Sequence, residues 1–172
     1  GMVLLSVGVA VGVVTVLVGV SAFFSSSETA IFTLPESWFE SSSSSDDARF
    51  ATLRGLRDDP HRLLVTLLVG NNVVNVAIAS ITTLVFTEHL PAGVAVSAST
   101  VVASAVVLIF GEIVPKSYGL GHAESWALSV ARPIQVVGRV LLPLVVLFDW
   151  ITRQLNDAIG GEPRIEKTHV DE

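Results

Sequence analysis

Three long stretches of this sequence contain no charged side chain. The first runs from Gly1 to Ser27, the second from Leu63 to Thr87, and the third from Val94 to Gly111, with Glu112 its first charge. A helix needs about 20 mostly apolar residues to cross the hydrocarbon layer of a bilayer. We therefore predict an all-α integral membrane protein with three transmembrane helices, at about 2–34, 63–87 and 94–118.

The overall composition agrees with a membrane location. Hydrophobic residues make up 51% of the chain and charged residues only 15%, whereas charged residues average about 25% of a soluble domain. The net charge of −6 and the lack of a basic stripe argue against a nucleic-acid partner. The absence of cysteine excludes disulfides, thiolate metal sites and a cysteine nucleophile. The lipid bilayer is the expected partner.

The arginines predict an orientation. Arg49, Arg54, Arg57 and Arg62 lie between the first and second spans, while the turn at 88–93 contains neither Lys nor Arg. Short loops rich in basic residues favour the cytoplasmic side. We expect a multi-pass protein of the plasma (cytoplasmic) membrane, with the N-terminus outside and the C-terminus in the cytoplasm.

Two segments outside the spans have helical patterns. Residues 46–59 follow a serine-rich connector and predict a short surface helix on the cytoplasmic side. The apolar stretch 133–148 is interrupted by Arg139 and Pro143, so we predict an interfacial juxtamembrane helix at about 130–155, with a re-entrant segment as the alternative. Residues 1–158 would form one transmembrane domain. Residues 159–172 have the polar composition of a cytoplasmic linker that leads to a further domain.

Polar residues inside the apolar stretches form three clusters, each on one predicted span. They are Ser21, Ser25, Ser26, Ser27 and Glu28 on the first, Gly70, Asn71, Asn72 and Asn75 on the second, and Gly111, Glu112, Pro115 and Lys116 on the third. An intramembrane carboxylate costs about 3 kcal/mol to insert, so it indicates a functional site by default. Hydroxyl, carboxamide and carboxylate oxygens are hard ligands that suit Mg²⁺ or Na⁺. The alternatives are helix packing by small residues, interhelical hydrogen bonds and a simple Glu112–Lys116 helix pair.

The proline in the third cluster adds one more oxygen to this set. Pro115 has no N–H to donate to the carbonyl four residues earlier. We therefore expect it to free the carbonyl of Gly111 beside Glu112.

The segments Ser21-Ala-Phe-Phe-Ser25-Ser-Ser-Glu28, Gly70-Asn71-Asn72-Val-Val-Asn75 and Phe110-Gly111-Glu112-Ile-Val-Pro115-Lys116 resemble the three signature segments of the CNNM/CorC family of magnesium transporters. The resemblance covers about residues 2–155. It implies a homodimer with short cytoplasmic helices, a belt-like juxtamembrane helix and a Mg²⁺ site open to the cytoplasm. It also implies Mg²⁺ export coupled to Na⁺ entry. It also implies a cytoplasmic CBS-pair domain after the transmembrane domain, beyond this chain, so ATP is not expected to bind here.

Carried onto this sequence, the resemblance gives a set of ion-site residues. The primary set is Ser21, Ser25, Asn71, Asn75 and Glu112, followed by the backbone of Gly111, with Glu28, Ser27 and Asn72 as secondary candidates.

Two other functions fit parts of the pattern. A Mg²⁺-responsive scaffold or regulatory subunit would bind the ion without moving it. An intramembrane hydrolase would use Ser25 with Lys116 as base. Two adjacent carboxylates are expected to keep that lysine charged, and the serine lacks a recognisable oxyanion motif. We expect no enzyme activity and assign no catalytic residue.

Overall fold

The computed structural model describes residues 2–160, with side chains from residue 7 onward. Within that part of the chain every regular element is helical. The elements are α1 (Met2–Thr33), α2 (Glu36–Ser41), α3 (Ala48–Arg57), α4 (Pro60–Thr87), α5 (Ala92–Val106), a π-helical segment (Val107–Ile113), α6 (Val114–Gly121), α7 (Ala123–Val140) and α8 (Leu142–Ile159).

Three helical stretches are long and apolar enough to cross a membrane. They are α1, α4, and the continuous stretch of α5, π-helical segment and α6 over Ala92–Gly121; we name them the first, second and third spans. Large apolar side chains cover their outer surfaces: Val16 is 66% exposed and Val101 69%. A soluble protein rarely exposes so continuous an apolar surface. The prediction of an all-α membrane protein with three spans is confirmed.

The three spans pack against one another. The helix α1 contacts α4, the π-helical segment and α6, and α4 also contacts α5. Two glycines permit the close approach. A Cβ at Gly70 would lie 2.7 Å from the ring of Phe24, and one at Gly119 would lie 2.5 Å from the carbonyl oxygen of Ser26. The three spans therefore meet most tightly along the second half of α1.

The connection between the first two spans folds back onto the end of α1. The helix predicted within residues 46–59 is α3. Asp47 caps it by accepting a hydrogen bond from the backbone N–H of Arg49. Phe50 and Leu53 of α3 are buried in the core. The short helix α2 begins after Pro35 and buries Phe39 in the same core; the resemblance implies short helices outside the spans, but the position of this one was not predicted.

The predicted single juxtamembrane helix at 130–155 is wrong in its continuity. The chain forms α7 and α8 there, bent by 82° at Leu141. Pro143 lies in the first turn of α8, where it lacks an N–H and its ring would clash with the carbonyl of Arg139 in a continuous helix. The helix therefore ends and restarts. This stretch is apolar enough for a further crossing only if the two bent helices are taken together.

Candidate cation site

Polar side chains from all three spans meet in one hydrogen-bonded network. Ser21 Oγ lies 3.0 Å from Asn71 Oδ1 and 2.8 Å from Asn75 Oδ1. Asn71 Nδ2 donates to Glu112 Oε1 at 3.1 Å. Four of the five primary residues predicted from the sequence are therefore brought together. At a rise of 1.5 Å per residue, Ser21 lies about 18 Å along α1 from its end at Thr33, within the candidate span Val7–Thr33.

Oxygens outnumber protons at the centre of this network. Glu112 accepts at its carboxylate, so Asn71 must turn its NH₂ group toward Glu112 and its Oδ1 toward Ser21. With the carboxamide of Asn75 oriented as it is in the structure, the single hydroxyl proton of Ser21 faces two carboxamide oxygens, from Asn71 and Asn75. One proton satisfies only one of them at a time. A cation bound among these three oxygens would be coordinated by all of them.

Ser25, the fifth primary residue, lies one helical turn beyond Ser21 on α1. It is buried, and its Oγ has no hydrogen-bond partner within the described residues. A buried hydroxyl without a partner costs about 1–3 kcal/mol. Coordination to a cation would supply the missing interaction. Ser25 therefore fits the set, although no contact joins it to the network.

The third span is π-helical where it passes the network. The backbone N–H of Val114 reaches back five residues to the carbonyl of Ile109. π-Helical turns are rare in proteins, and those that occur frequently lie at functional sites. Pro115 predicts only the loss of a donor to the Gly111 carbonyl, whereas the changed hydrogen-bond pattern in the structure covers Val107–Ile113.

Gly111 allows the π-helical segment to approach the first span. Gly111 is buried, and a Cβ there would lie 2.9 Å from Ser21 Oγ. Real Cβ atoms almost never come that close to a heavy atom, so any larger residue would displace the Ser21 hydroxyl.

Glu112 also has a cationic partner. Lys116 Nζ lies 3.2 Å from Glu112 Oε2, one turn along the same helix. The simple helix pair considered from the sequence is thus present, but the same carboxylate also accepts from Asn71 on another span. Glu112 is 24% exposed.

Three secondary candidates lie outside the network. Asn72 is exposed and Glu28 half-buried, and within the described residues their side chains make no hydrogen bond or ion pair. Ser27 is buried with its Oγ unpartnered. The described residues also contain no group of three or more His, Asp or Glu side chains that could hold a metal. The candidate donors are therefore hydroxyl and amide oxygens with one carboxylate, which remains a hard-ligand set.

A buried acid that the sequence analysis did not single out lies away from this site. Asp149 of α8 accepts from Arg153 Nε at 3.1 Å and lies 2.9 Å from His61 Nε2 and 3.5 Å from Arg62 Nη2. Burial alone would raise its pKa, but the hydrogen bond and charge of Arg153, the charge of His61 and a hydrogen bond from Arg62 outweigh burial, so the pKa of Asp149 lies below its usual value. The only sequence signal for this cluster was the spacing of Asp149 and Arg153, which lie four residues apart and can pair along a helix.

These features define a multi-pass α-helical membrane protein with an oxygen-rich polar site shared by three spans. The family model described as the cyclin M (CNNM) transmembrane N-terminal domain matches residues 12–172. The chain belongs to this family, as the resemblance in its three polar segments predicted.

Curated relatives agree with this assignment. The chain is 34% identical over 155 residues to a chloroplastic DUF21 domain-containing protein of Arabidopsis thaliana, covering 90% of this chain and 23% of that protein. It is 32% identical over 145 residues to the UPF0053 inner membrane protein YfjD of Escherichia coli, covering 82% and 33%. It is 30% identical over 156 residues to a UPF0053 protein of Synechocystis, covering 90% and 43%. The chain thus spans less than half the length of these relatives.

Proposed function

We propose that this domain binds Mg²⁺ at the network of Ser21, Asn71, Asn75 and Glu112 and exports it across the plasma membrane, coupled to Na⁺ entry. The observation that carries the proposal is the convergence of two carboxamide oxygens on one hydroxyl, linked through Asn71 to an intramembrane carboxylate. Packing alone gives no reason to place such groups in lipid.

The donor set favours a hard cation that keeps part of its hydration shell. Mg²⁺ prefers octahedral oxygen ligands and releases water reluctantly, so it is usually held by one or two carboxylates together with waters. Glu112 supplies one negative charge, and the amide and hydroxyl oxygens supply neutral ligands. Na⁺ uses the same kinds of oxygen, which supports exchange of the two ions at one site.

Ion binding at Glu112 requires two local changes. The ammonium of Lys116 must leave Oε2, and the NH₂ group of Asn71 must move away from Oε1. Both are side-chain movements that open the carboxylate to an ion. Lys116 is paired with Glu112, and Ser25 Oγ has no hydrogen-bond partner within the described residues, so no base lies in reach of that hydroxyl. We propose that the domain is not an enzyme.

The remaining parts of the proposal concern assembly and orientation. We propose a homodimer with the site open to the cytoplasm. Arg49 and Arg54 favour a cytoplasmic connection between the first and second spans, which puts the N-terminus outside and the C-terminus inside. In the full-length protein we expect a CBS-pair domain to bind ATP, outside this chain.

Flux from vesicles tests the function. Purified protein is reconstituted into Mg²⁺-loaded vesicles with a Na⁺ gradient, and Mg²⁺ release is followed with a fluorescent indicator. We expect release that Glu112→Gln and Asn75→Ala abolish. Asn72→Ala is the matched control, because Asn72 lies on the same helix, is exposed and makes no contact in the network.

Thermal unfolding with and without Mg²⁺ separates transport from binding alone. If Mg²⁺ raises the unfolding temperature through Glu112 while flux stays at the level of empty vesicles, the domain is a Mg²⁺-responsive scaffold or regulatory subunit. If Mg²⁺ changes neither quantity, the proposed site is wrong.

A further inference from the structure

A second polar site lies apart from the cation network, in a cavity of about 210 Å³ at the start of the second span. The C-terminal end of α3 and the N-terminal end of α4 form one wall of this cavity. The opposite wall is formed by residues of α7 and α8 next to the bend between them. Its polar lining residues are Asp59, Arg62, Thr66, Gln135 and Arg139.

We propose that this cavity binds the phosphate group of an anionic phospholipid. Within residues 7–160 the side chains of Gln135 and Arg139 make no hydrogen bond or ion pair, so their donors are free for a ligand. Arg62 is only loosely paired, at 3.5 Å from Asp149. Two guanidinium groups and an amide are a donor set suited to phosphate oxygens.

The charges around the cavity leave a net positive site. Asp59 is the acid in the lining, but it already accepts from the backbone N–H of Arg62 at 3.2 Å and lies 3.7 Å from Arg153 Nη2. Asp149 is committed to Arg153 and His61. Arg139 therefore has no carboxylate of its own, and a phosphodiester with one negative charge would balance it.

The apolar part of the lining favours a lipid over a free phosphate compound. Leu63, Ile134 and Val145 line the same cavity, and the neighbouring Val140 and Leu142 are exposed. Arg62 lies two residues after Pro60, where α4 begins. Such a cavity is at the level of lipid headgroups, with apolar surface beside it for the acyl chains; basic pockets between membrane helices commonly bind anionic headgroups. A bound lipid would join the second span to the bend between α7 and α8.

Native mass spectrometry of the purified chain, titrated with phosphatidylglycerol or phosphatidylcholine, tests this proposal. We expect one phosphatidylglycerol to be retained in preference to phosphatidylcholine. Arg139→Gln should weaken that binding by at least about tenfold, since it removes charge-assisted hydrogen bonds. Arg132→Gln is the matched control: it removes the same charge from an exposed position of α7 outside the cavity and should leave binding unchanged.

Gly138→Leu tests the cavity without changing its charge. A Cβ at Gly138 would lie 3.8 Å from Thr66 Cγ2, an ordinary contact, so the position accepts a side chain that fills the space. We expect it to exclude phosphatidylglycerol.

Three results would overturn the proposal. Equal weakening by Arg132→Gln would indicate diffuse surface attraction. Equal retention of phosphatidylcholine would show that the headgroup charge is not recognised. Displacement of the lipid by glycerol 3-phosphate at the same phosphate concentration would indicate a water-soluble ligand.

Discussion

Asn71 donates a hydrogen bond of 3.1 Å from its Nδ2 to Oε1 of Glu112 and so joins the second span to the third. This bond also fixes the direction of the Asn71 carbonyl oxygen, which points to Ser21 on the first span. One carboxamide therefore connects all three spans. Its bond to Glu112 determines that its oxygen, and not its nitrogen, faces Ser21. In the proposed function it both shapes the site and holds the carboxylate before an ion binds.

Asn71→Leu should remove this connection while keeping a side chain of similar size. Glu112 then loses its interhelical donor, and we expect a loss of about 1–3 kcal/mol in the free energy of unfolding, as for a buried polar group left without a partner. The stabilisation by Mg²⁺ should disappear as well. Unfolding in mixed detergent micelles, with and without Mg²⁺, measures both effects. Retained Mg²⁺ stabilisation would contradict a role for the Asn71 oxygen.

Lys116→Met should tighten Mg²⁺ binding. The ammonium of Lys116 lies 3.2 Å from the carboxylate that the ion needs, so lysine and ion compete for Glu112. Partly exposed ion pairs are weak, and removing this one should raise the apparent affinity by about two- to fivefold. Lys116→Arg keeps the charge and serves as the control. Weaker binding in Lys116→Met, measured by titration of the unfolding temperature, would mean that the lysine positions the carboxylate instead.

The spans and most residues of the candidate network could be predicted because lipid imposes a simple rule. A crossing must be a long apolar helix, so polar groups such as Asn75 and Glu112 are conspicuous within it. The π-helical hydrogen bonding at Val107–Ile113 could not be predicted, because Pro115 accounts for one missing donor and the rest depends on how closely Gly111 approaches the first span.

Tertiary contacts also explain the two differences outside the spans. The short helix α2 depends on burying Phe39 among residues of α3, which local sequence does not reveal. Pro143 was noted as an interruption, but a proline is compatible with either a kink or a new first turn. The choice of a new helix with an 82° bend places α8 beside the second span, where Asp149 meets His61 and Arg62.

Gly111→Ala should damage the site more than the fold. The added Cβ would meet Ser21 Oγ at 2.9 Å and push the hydroxyl away from the two asparagine oxygens. We expect Mg²⁺ stabilisation to be lost, with a destabilisation of about 1–3 kcal/mol from overpacking. Gly12→Ala is the control, since a Cβ there meets nothing within 4 Å. Normal Mg²⁺ binding by Gly111→Ala would show that the position of the Ser21 hydroxyl is unimportant.

Asp149 should make stability depend on acid pH. Its pKa is lowered in the folded state, mainly by Arg153 acting against burial. The ionised carboxylate therefore stabilises the fold fully above about pH 4, where the unfolded side chain ionises, and the contribution is lost as pH falls through the lower folded pKa. Between about pH 5 and about pH 3 the unfolding temperature of Asp149→Asn should fall less than that of the native chain. Asp58→Asn is the control, because Asp58 is exposed; parallel profiles for Asp149→Asn and the native chain would contradict the role of this acid.

Arg57→Met should loosen the end of the first span. Arg57 Nη1 donates to the carbonyl of Ile31 at 2.7 Å and to that of Leu34 at 2.8 Å, groups that have few donors left where α1 ends. Hydrogen bonds from a charged donor contribute about 1.5–3 kcal/mol, so the free energy of unfolding should fall by about that amount. Arg49→Met removes the same charge from α3 at an exposed position and should leave stability nearly unchanged. Equal effects of the two substitutions, measured by unfolding in mixed micelles, would show that the charge of α3 matters and the contact with α1 does not.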